Sequence, residues 1–282
     1  MSVNAEVGGH GSGTMMAMVK RVGLGGVMAG LVGGVVMIAL MIVVMGSNGS
    51  GYASPLNLGI PGFAKTITPP SSQLPGMLSA MGVRLPPAAM AKFGPAIASG
   101  HVTPEMGQQL NAMLKSGGVP AGKIHNIDLL MSGNATNSTM ADLLSGMNTT
   151  ARNKVMSSLP VTTGNVVLGS VTHLALSAIL GFMFAMMIIG GGIQMLSLRV
   201  LRNPAGIAAA SVMGAAVAYA VSRWLVLPAI DPLMKLVPQT WFFIAHLLFG
   251  LVTGAGIAMI ARREGLFDDR EARSSVGGLA HA

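Results

Sequence analysis

The stretch VGLGGVMAGLVGGVVMIALMIVVM (residues 22–45) decides the fold. It carries no charged side chain, and as an α-helix it would rise about 36 Å, enough to cross about 30 Å of hydrocarbon. Lys20 and Arg21 stand directly before it. Its apolar core is too long for a signal-peptide h-region of roughly 7–15 residues. It therefore reads as a first transmembrane helix, although Gly51-Tyr52-Ala53 offers small residues at a cleavage position.

Working outward, three more windows lack Asp, Glu, Lys and Arg: Val155–Leu198, Asn203–Ser222 and Leu236–Ala261. Each holds an apolar stretch of about 20 residues, the length of one crossing. The predicted spans are residues 20–46, 165–196, 204–223 and 240–261. Composition agrees. Of 282 residues 51% are hydrophobic and 9% are charged, whereas a soluble domain has roughly 25% charged residues to cover its surface.

The net charge of +8 does not indicate a nucleic-acid partner. Lys and Arg stand in short groups beside the spans, without a basic stripe interleaved with aromatics. Basic residues beside spans orient a protein in the membrane. Lys20/Arg21, Arg199/Arg202 and Arg262/Arg263 all fall on one side of a four-span topology, so both termini are expected in the cytoplasm of a bacterial inner membrane. Trp224 and Trp241 then bracket the short outer loop as interfacial anchors. The chain has no cysteine, which excludes thiol catalysis, disulfides and Cys-ligated zinc or iron–sulfur centres.

Residues 1–19 are glycine-rich and expected to be a mobile cytoplasmic tail, and residues 262–282 form a second cytoplasmic tail. Residues 47–164 are the one large extramembrane segment, expected outside the cytoplasm. Thr103-Pro104-Glu105 predicts a helix start, with a hydroxyl cap and Pro at the first position, and Gly117-Gly118 predicts its stop. Ser138–Met147 and Thr149–Leu159 are weaker helical segments. The expectation is short amphipathic helices packed on the membrane domain rather than a large core of their own. Asn48, Asn134, Asn137 and Asn148 each head an N-x-S/T triplet, which chance explains in a segment this rich in Ser, Thr and Asn.

The second half of the membrane domain resembles the first. Residues 29–37 (AGLVGGVVM) align without gaps with residues 205–213 (AGIAAASVM). His173-Leu174, Ser177, Gly181, Ala185 and Met186 align likewise with His246-Leu247, Gly250, Gly254, Ala258 and Met259. Two matches in the same order predict two helix hairpins in parallel repeat, related by a pseudo-two-fold axis along the membrane normal. Small residues recur every four positions: Gly26, Gly30 and Gly34; Ser177, Gly181 and Ala185; Gly206, Ala210, Gly214 and Ala218; Gly250 and Gly254. That spacing keeps them on one helix face, where backbones approach closely. The same faces offer a route to a homodimer.

His173 and His246 are the ionisable side chains expected inside the membrane, each roughly 10 Å below the outer end of its helix. Facing each other across the pseudo-axis they could hold a metal or a haem, or form a protonatable pair. A histidine in such a place more often hydrogen-bonds a neighbouring helix. Met37, Met41 and Met45 share a face of the first span. Thioethers beside imidazole suit Cu(I), so His173, His246, Met41 and Met45 are the candidate metal ligands, against the commoner use of such a stripe as flexible packing. No Walker loop, G-x-S-x-G, H-E-x-x-H or dinucleotide fingerprint occurs. The spans hold no carboxylate for an ion-coupled relay. No catalytic residue and no cofactor are expected.

The stretches Ala29-Gly30-Leu31-Val32-Gly33-Gly34, His173-Leu174 leading to Gly181, and His246-Leu247-Leu248-Phe249-Gly250-Leu251-Val252-Thr253-Gly254 resemble small bacterial inner-membrane proteins of the YagU-like type. The resemblance covers the four spans and implies a compact four-helix membrane domain without a defined activity. The expected class is thus an all-α integral membrane protein: two hairpins in parallel repeat, an extracytoplasmic insertion of short helices, the lipid bilayer as partner, and a non-enzymatic structural or interaction role. A small-solute or metal permease is the alternative, with a His-ligated haem or copper protein behind it.

Overall fold

A computed structural model describes residues 10–49, 74–80, 83, 85–99, 101–132, 134–158, 163–190, 201, 203–227 and 232–264. The described elements are helical: α1 (His10–Ser47), α2 (Leu74–Ala80), α3 (Pro87–Ser99), α4 (Pro104–Ser116), α5 (Ala121–Met131), α6 (Asn137–Ser145), α7 (Thr149–Ser158), α8 (Thr163–Gly190), α9 (Pro204–Val221) and α10 (Gln239–Arg263). A π-helical turn (Ser222–Val226) extends α9, and a 3₁₀ turn (Pro232–Leu236) precedes α10. The four long apolar helices fall where the charge-free windows predict them, with crossing-length segments Val19–Ser47, Val166–Ile188, Pro204–Val226 and Gln239–Arg263. Residues 191–196 of the expected second span lie outside the described residues. In a bilayer only a helix satisfies every backbone group within one segment, which is why so glycine-rich a sequence as α1 stays helical. Residues 10–19 continue α1 upstream instead of forming a tail, since extending a nucleated helix costs little.

The chain divides into two compact units. The first comprises the described parts of Met1–Met37, Thr172–Tyr219 and Phe243–Ala282, and it is a four-helix bundle whose seams run through glycine. A Cβ on Gly30 would strike the Ser177 carbonyl and come within 2.9 Å of the Gly181 Cα, and one on Gly26 would lie 2.5 Å from the Gly181 carbonyl. A Cβ on Gly34 would lie 2.5 Å from Ser177 Oγ. As α1 numbers rise the α8 numbers fall, so the two helices are antiparallel, backbone against backbone. A second seam joins α9 to α10. There a Cβ on Gly250 would lie 2.6 Å from the Ser211 carbonyl and 2.7 Å from the Ala215 Cβ, and one on Gly254 would meet Ser211 and Ala208. A third joins α1 to α10 through Gly25–Ile260, Ala29–Gly256 and Gly33–Thr253, again antiparallel. A Cβ on Gly214 would lie 2.9 Å from the Phe184 ring, so α9 packs against α8 there.

These contacts revise one expectation. The α9 residues in the seam are Ala208, Ser211 and Ala215, not the series Gly206, Ala210, Gly214 and Ala218. Because Ser177 meets Gly30 and Gly34 while Gly250 meets Ser211 and Ala215, the packing counterpart of Gly30 is Ser211. The gap-free alignment had paired Gly30 with Gly206. That alignment followed glycine identity, whereas the seam needs only a small residue, and serine and alanine serve. Gly206 instead lies buried in the first turn of α9, where its N–H donates to Asn203 Oδ1 at 2.7 Å, an N-cap followed by Pro204.

The second unit comprises the described parts of Ile38–Val171 and Ala220–Phe242. Its short helices pack in sequence, α2 on α3 through α5 on α6, while α7 returns to α2 and the 3₁₀ turn lies on α6. Met77, Leu78, Phe93, Ile97, Leu110, Leu114, Ile127, Met140 and Leu144 are all but fully buried. This segment therefore has a core of its own, contrary to expectation. The reason is helical spacing: Ala89, Phe93 and Ile97 on α3, and Leu110 and Leu114 on α4, bring one apolar stripe each. Caps fix the boundaries. Thr103 accepts from Met106 N–H ahead of Pro104, as its sequence predicts. Thr136 and Thr139 form a reciprocal capping box on α6, and Asn148 Oδ1 accepts from Ala151 N–H to start α7. Asn153 Nδ2 donates to the Asn48 carbonyl at 2.6 Å, tying α7 to the residues after α1.

Candidate functional site

The chemistry-bearing residues of the bundle lie on its helix seams. His173 sits one turn from Ser177 on α8 and reaches the Gly34 backbone on α1. Its Nε2 is buried and has no hydrogen-bond partner. His246 on α10 is buried, with its ring edge-on to Tyr219 of α9 at 5.4 Å and 69°. Tyr219 also packs against Phe243 at 5.0 Å. Each histidine thus contacts the partner helix of its own hairpin.

Met37, Met41 and Met45 are all buried, so their shared face of α1 is turned inward. Met41 and Met45 belong to the second unit, whereas His173, His246 and Met37 belong to the first. Among the described residues no group of three or more His, Cys, Asp or Glu side chains could hold a metal ion. Of the expected packing glycines, Gly26, Gly30, Gly34 and Gly181 form the α1–α8 seam, and Gly250 and Gly254 the α9–α10 seam. Gly214 seats the Phe184 ring. The faces of α1, α8 and α10 considered for a homodimer thus take part in contacts within one chain.

Sequence reading overlooked the buried hydroxyls. Ser177, Ser211 and Thr253 are almost completely buried. Thr253 Oγ1 donates to the Ala29 carbonyl at 3.5 Å, and Ser211 Oγ has no hydrogen-bond partner. Gly250 and Gly254, which flank Thr253 on α10, are the two residues that receive Ser211. Ser177 shows in the sequence only as one of a small-residue series, and Ser211 and Thr253 stand in none of those series. Tyr219 gave no signal, because its role depends on meeting His246 across a seam. At the end where α1 begins and α10 finishes, Arg21 pairs with Glu264 at 3.2 Å, beside Lys20, Arg262 and Arg263.

In the second unit, a cavity of ≈ 330 Å³ opens between the α2–α3 connection and the end of α4, lined by Val83, Leu85, Met113, Leu114 and Val119 among others. Among the described residues no ionisable group lines it. The described residues thus offer close helix packing, an imidazole nitrogen without a partner and a cavity in the second unit. No protein family, curated protein or solved structure matches the chain, so what stands of the sequence resemblance is the set of four candidate membrane-spanning helices.

Proposed function

We propose that the chain is a non-catalytic multi-pass protein of a bacterial inner membrane with a structural or interaction role. The observation that carries this reading is the backbone-to-backbone approach of α1 and α8 at Gly30 and Gly181, repeated between α9 and α10 at Ser211 and Gly250. Helices packed this closely leave no water-lined path along either seam, and the spans supply no carboxylate to move an ion. The two seams also support the parallel repeat of two hairpins, in the register set by Ser211 and Ala215. Lys20, Arg21, Arg262 and Arg263 at one end support a cytoplasmic location for both termini.

A permease for a small solute or metal is the second reading, and the partnerless Nε2 of His173 favours it. Flux in proteoliposomes separates the two. The structural role predicts uptake of solutes and Cu(I) no faster than in protein-free vesicles. Saturable uptake lost in His173→Ala would establish the permease instead. Because the native chain has no cysteine, single substitutions such as Ala17→Cys and Ser145→Cys give a clean topology test. Labelling of Ser145→Cys alone from outside the cell is expected, and labelling of Ala17→Cys would overturn the orientation.

A further inference from the structure

Twenty-four methionines are spread over the chain, but on the outer surface of the bundle they are unevenly placed. Met28 on α1, Met183 and Met187 on α8, Met213 on α9 and Met259 on α10 are each between 56% and 66% exposed. Four of them lie near the end of the bundle where Arg21 meets Glu264: Met28 follows Lys20 by two turns, Met259 precedes Arg263 by one turn, and Met183 and Met187 are in the last turns of their span. At 1.5 Å per residue each of these four is within about 14 Å of that end, inside one half of a hydrocarbon layer of about 30 Å. Met213 lies deeper, level with Gly250, which packs between Ser211 and Ala215. Beyond the depth of the four, the other outward-facing side chains include Val32, Val35, Leu176, Val217 and Leu251. Met37, which lies deeper, is turned inward.

An apolar face against lipid needs only hydrophobic volume, which leucine and valine supply. A thioether adds polarisability and a sulfur lone pair that accepts oxygen. Helices α1, α8 and α10 each contribute at least one, so the band spans three of the four helices within one leaflet. We propose that this band is a site of oxidative modification, taking oxygen from organic hydroperoxides dissolved in the bilayer, such as those of oxidised acyl chains. The thioether sulfur attacks the distal hydroperoxide oxygen, the O–O bond breaks and an S–O bond forms. The hydroperoxide proton ends on the remaining oxygen, giving an alcohol. Sulfur is oxidised by two electrons to the sulfoxide and the hydroperoxide is reduced by two, so no further reactant is required. The product is methionine sulfoxide, a polar group that dedicated reductases can reverse.

The test uses the full chain in phosphatidylcholine vesicles carrying a fraction of phosphatidylcholine hydroperoxide, with site-resolved sulfoxide formation followed by peptide mass spectrometry. The four band residues are expected to oxidise at least about tenfold faster than buried Met37, Met41 and Met45, as exposure governs thioether oxidation. Aqueous hydrogen peroxide in the same vesicles serves as a control and should instead favour Met16, which lies outside the crossing segments and is exposed. Equal rates at band and buried residues would overturn the proposal, as would lipid hydroperoxide oxidising Met16 ahead of the band. A variant with Met28, Met183, Met187 and Met259 changed to leucine, which nearly conserves volume, should consume the lipid hydroperoxide much more slowly. Undiminished consumption would also overturn it. The mass-spectrometric comparison needs only the native chain, so it decides the matter even if that variant does not fold.

Discussion

Adding one methyl group at Gly30 tests the packing of the bundle most directly. The new Cβ would strike the Ser177 carbonyl and lie 2.9 Å from the Gly181 Cα. Both obstacles are backbone, so no side chain can rotate away. Carbon atoms prefer about 3.5–4.0 Å, so α1 and α8 must separate locally by about 0.6–1.1 Å. A gap of that size forfeits about a quarter to a half of each contact's dispersion energy along the seam. Overpacking of this kind costs about 1–3 kcal/mol, opposed by the gain of up to about 1 kcal/mol in replacing a helical glycine with alanine. The net expectation for Gly30→Ala is a loss of about 1–2 kcal/mol, or a few degrees in melting temperature for a chain of this size. Gly181→Ala should behave alike. The double variant should lose less than the sum, since one separation relieves both clashes. Gly122→Ala on α5, where an added Cβ meets nothing within 4 Å, should stabilise by up to about 1 kcal/mol. The assay is thermal unfolding in mild detergent, followed by tryptophan fluorescence. If Gly30→Ala and Gly181→Ala melt at or above the native temperature, the backbone-to-backbone seam is not there.

Three further outcomes follow from individual contacts. Thr136→Ala removes one half of the α6 capping box and should cost about 1 kcal/mol, read as faster amide hydrogen exchange in α6 with α4 unaffected. Glu105, in the first turn of α4, accepts hydrogen bonds from its own backbone N–H and the Thr103 hydroxyl, which hold its carboxyl below the ordinary 4.5. A lowered folded value means its stabilising contribution is present above that pH and is lost as pH falls through the folded value. Fraying of α4 should therefore begin below about pH 4.5, and Glu105→Gln should abolish that pH dependence of exchange in α4. The Arg21–Glu264 pair is largely solvent-exposed on its arginine side, so a double-mutant cycle should give about 0.2–1 kcal/mol at low salt and less at high salt. A larger, salt-independent coupling would mean that the pair is buried.

The four spans were legible because a bilayer removes ambiguity: a charge-free run of about 20 residues has few other fates. The helix starting at Pro104 was legible from its cap, and α6 and α7 lie within two residues of the segments predicted for them. Helices α2, α3 and α5 were not foreseen. Pro95 lies inside α3 and reads in sequence as a breaker, and α5 begins after Pro120 without a side-chain cap. Such short helices are decided by the core they share, which appears only once Phe93, Leu110, Ile127 and Leu144 are brought together. The candidate site was legible as residue types but not as geometry. Equal depth suggested that His173 and His246 could face each other; the contacts seen are those of His173 with the Gly34 backbone and of His246 with Tyr219. Rotation of a helix about its axis decides this, and an apolar sequence with little amphipathic contrast hardly encodes it.

The two glycine seams also differ in when they can form. Residues 222–238 separate α9 from α10, whereas residues 48–162 separate α1 from α8. The longer connection, roughly sevenfold, costs only about 1.7 kcal/mol more to close, which a packed seam readily offsets once made. Time is the greater difference. During synthesis α1 enters the membrane long before Ser177 and Gly181 exist, and its row of Gly26, Gly30 and Gly34 stays uncovered while the whole intervening unit is made. An uncovered small-residue row is the surface on which other membrane helices associate, so the nascent chain has a period of vulnerability that the finished bundle lacks.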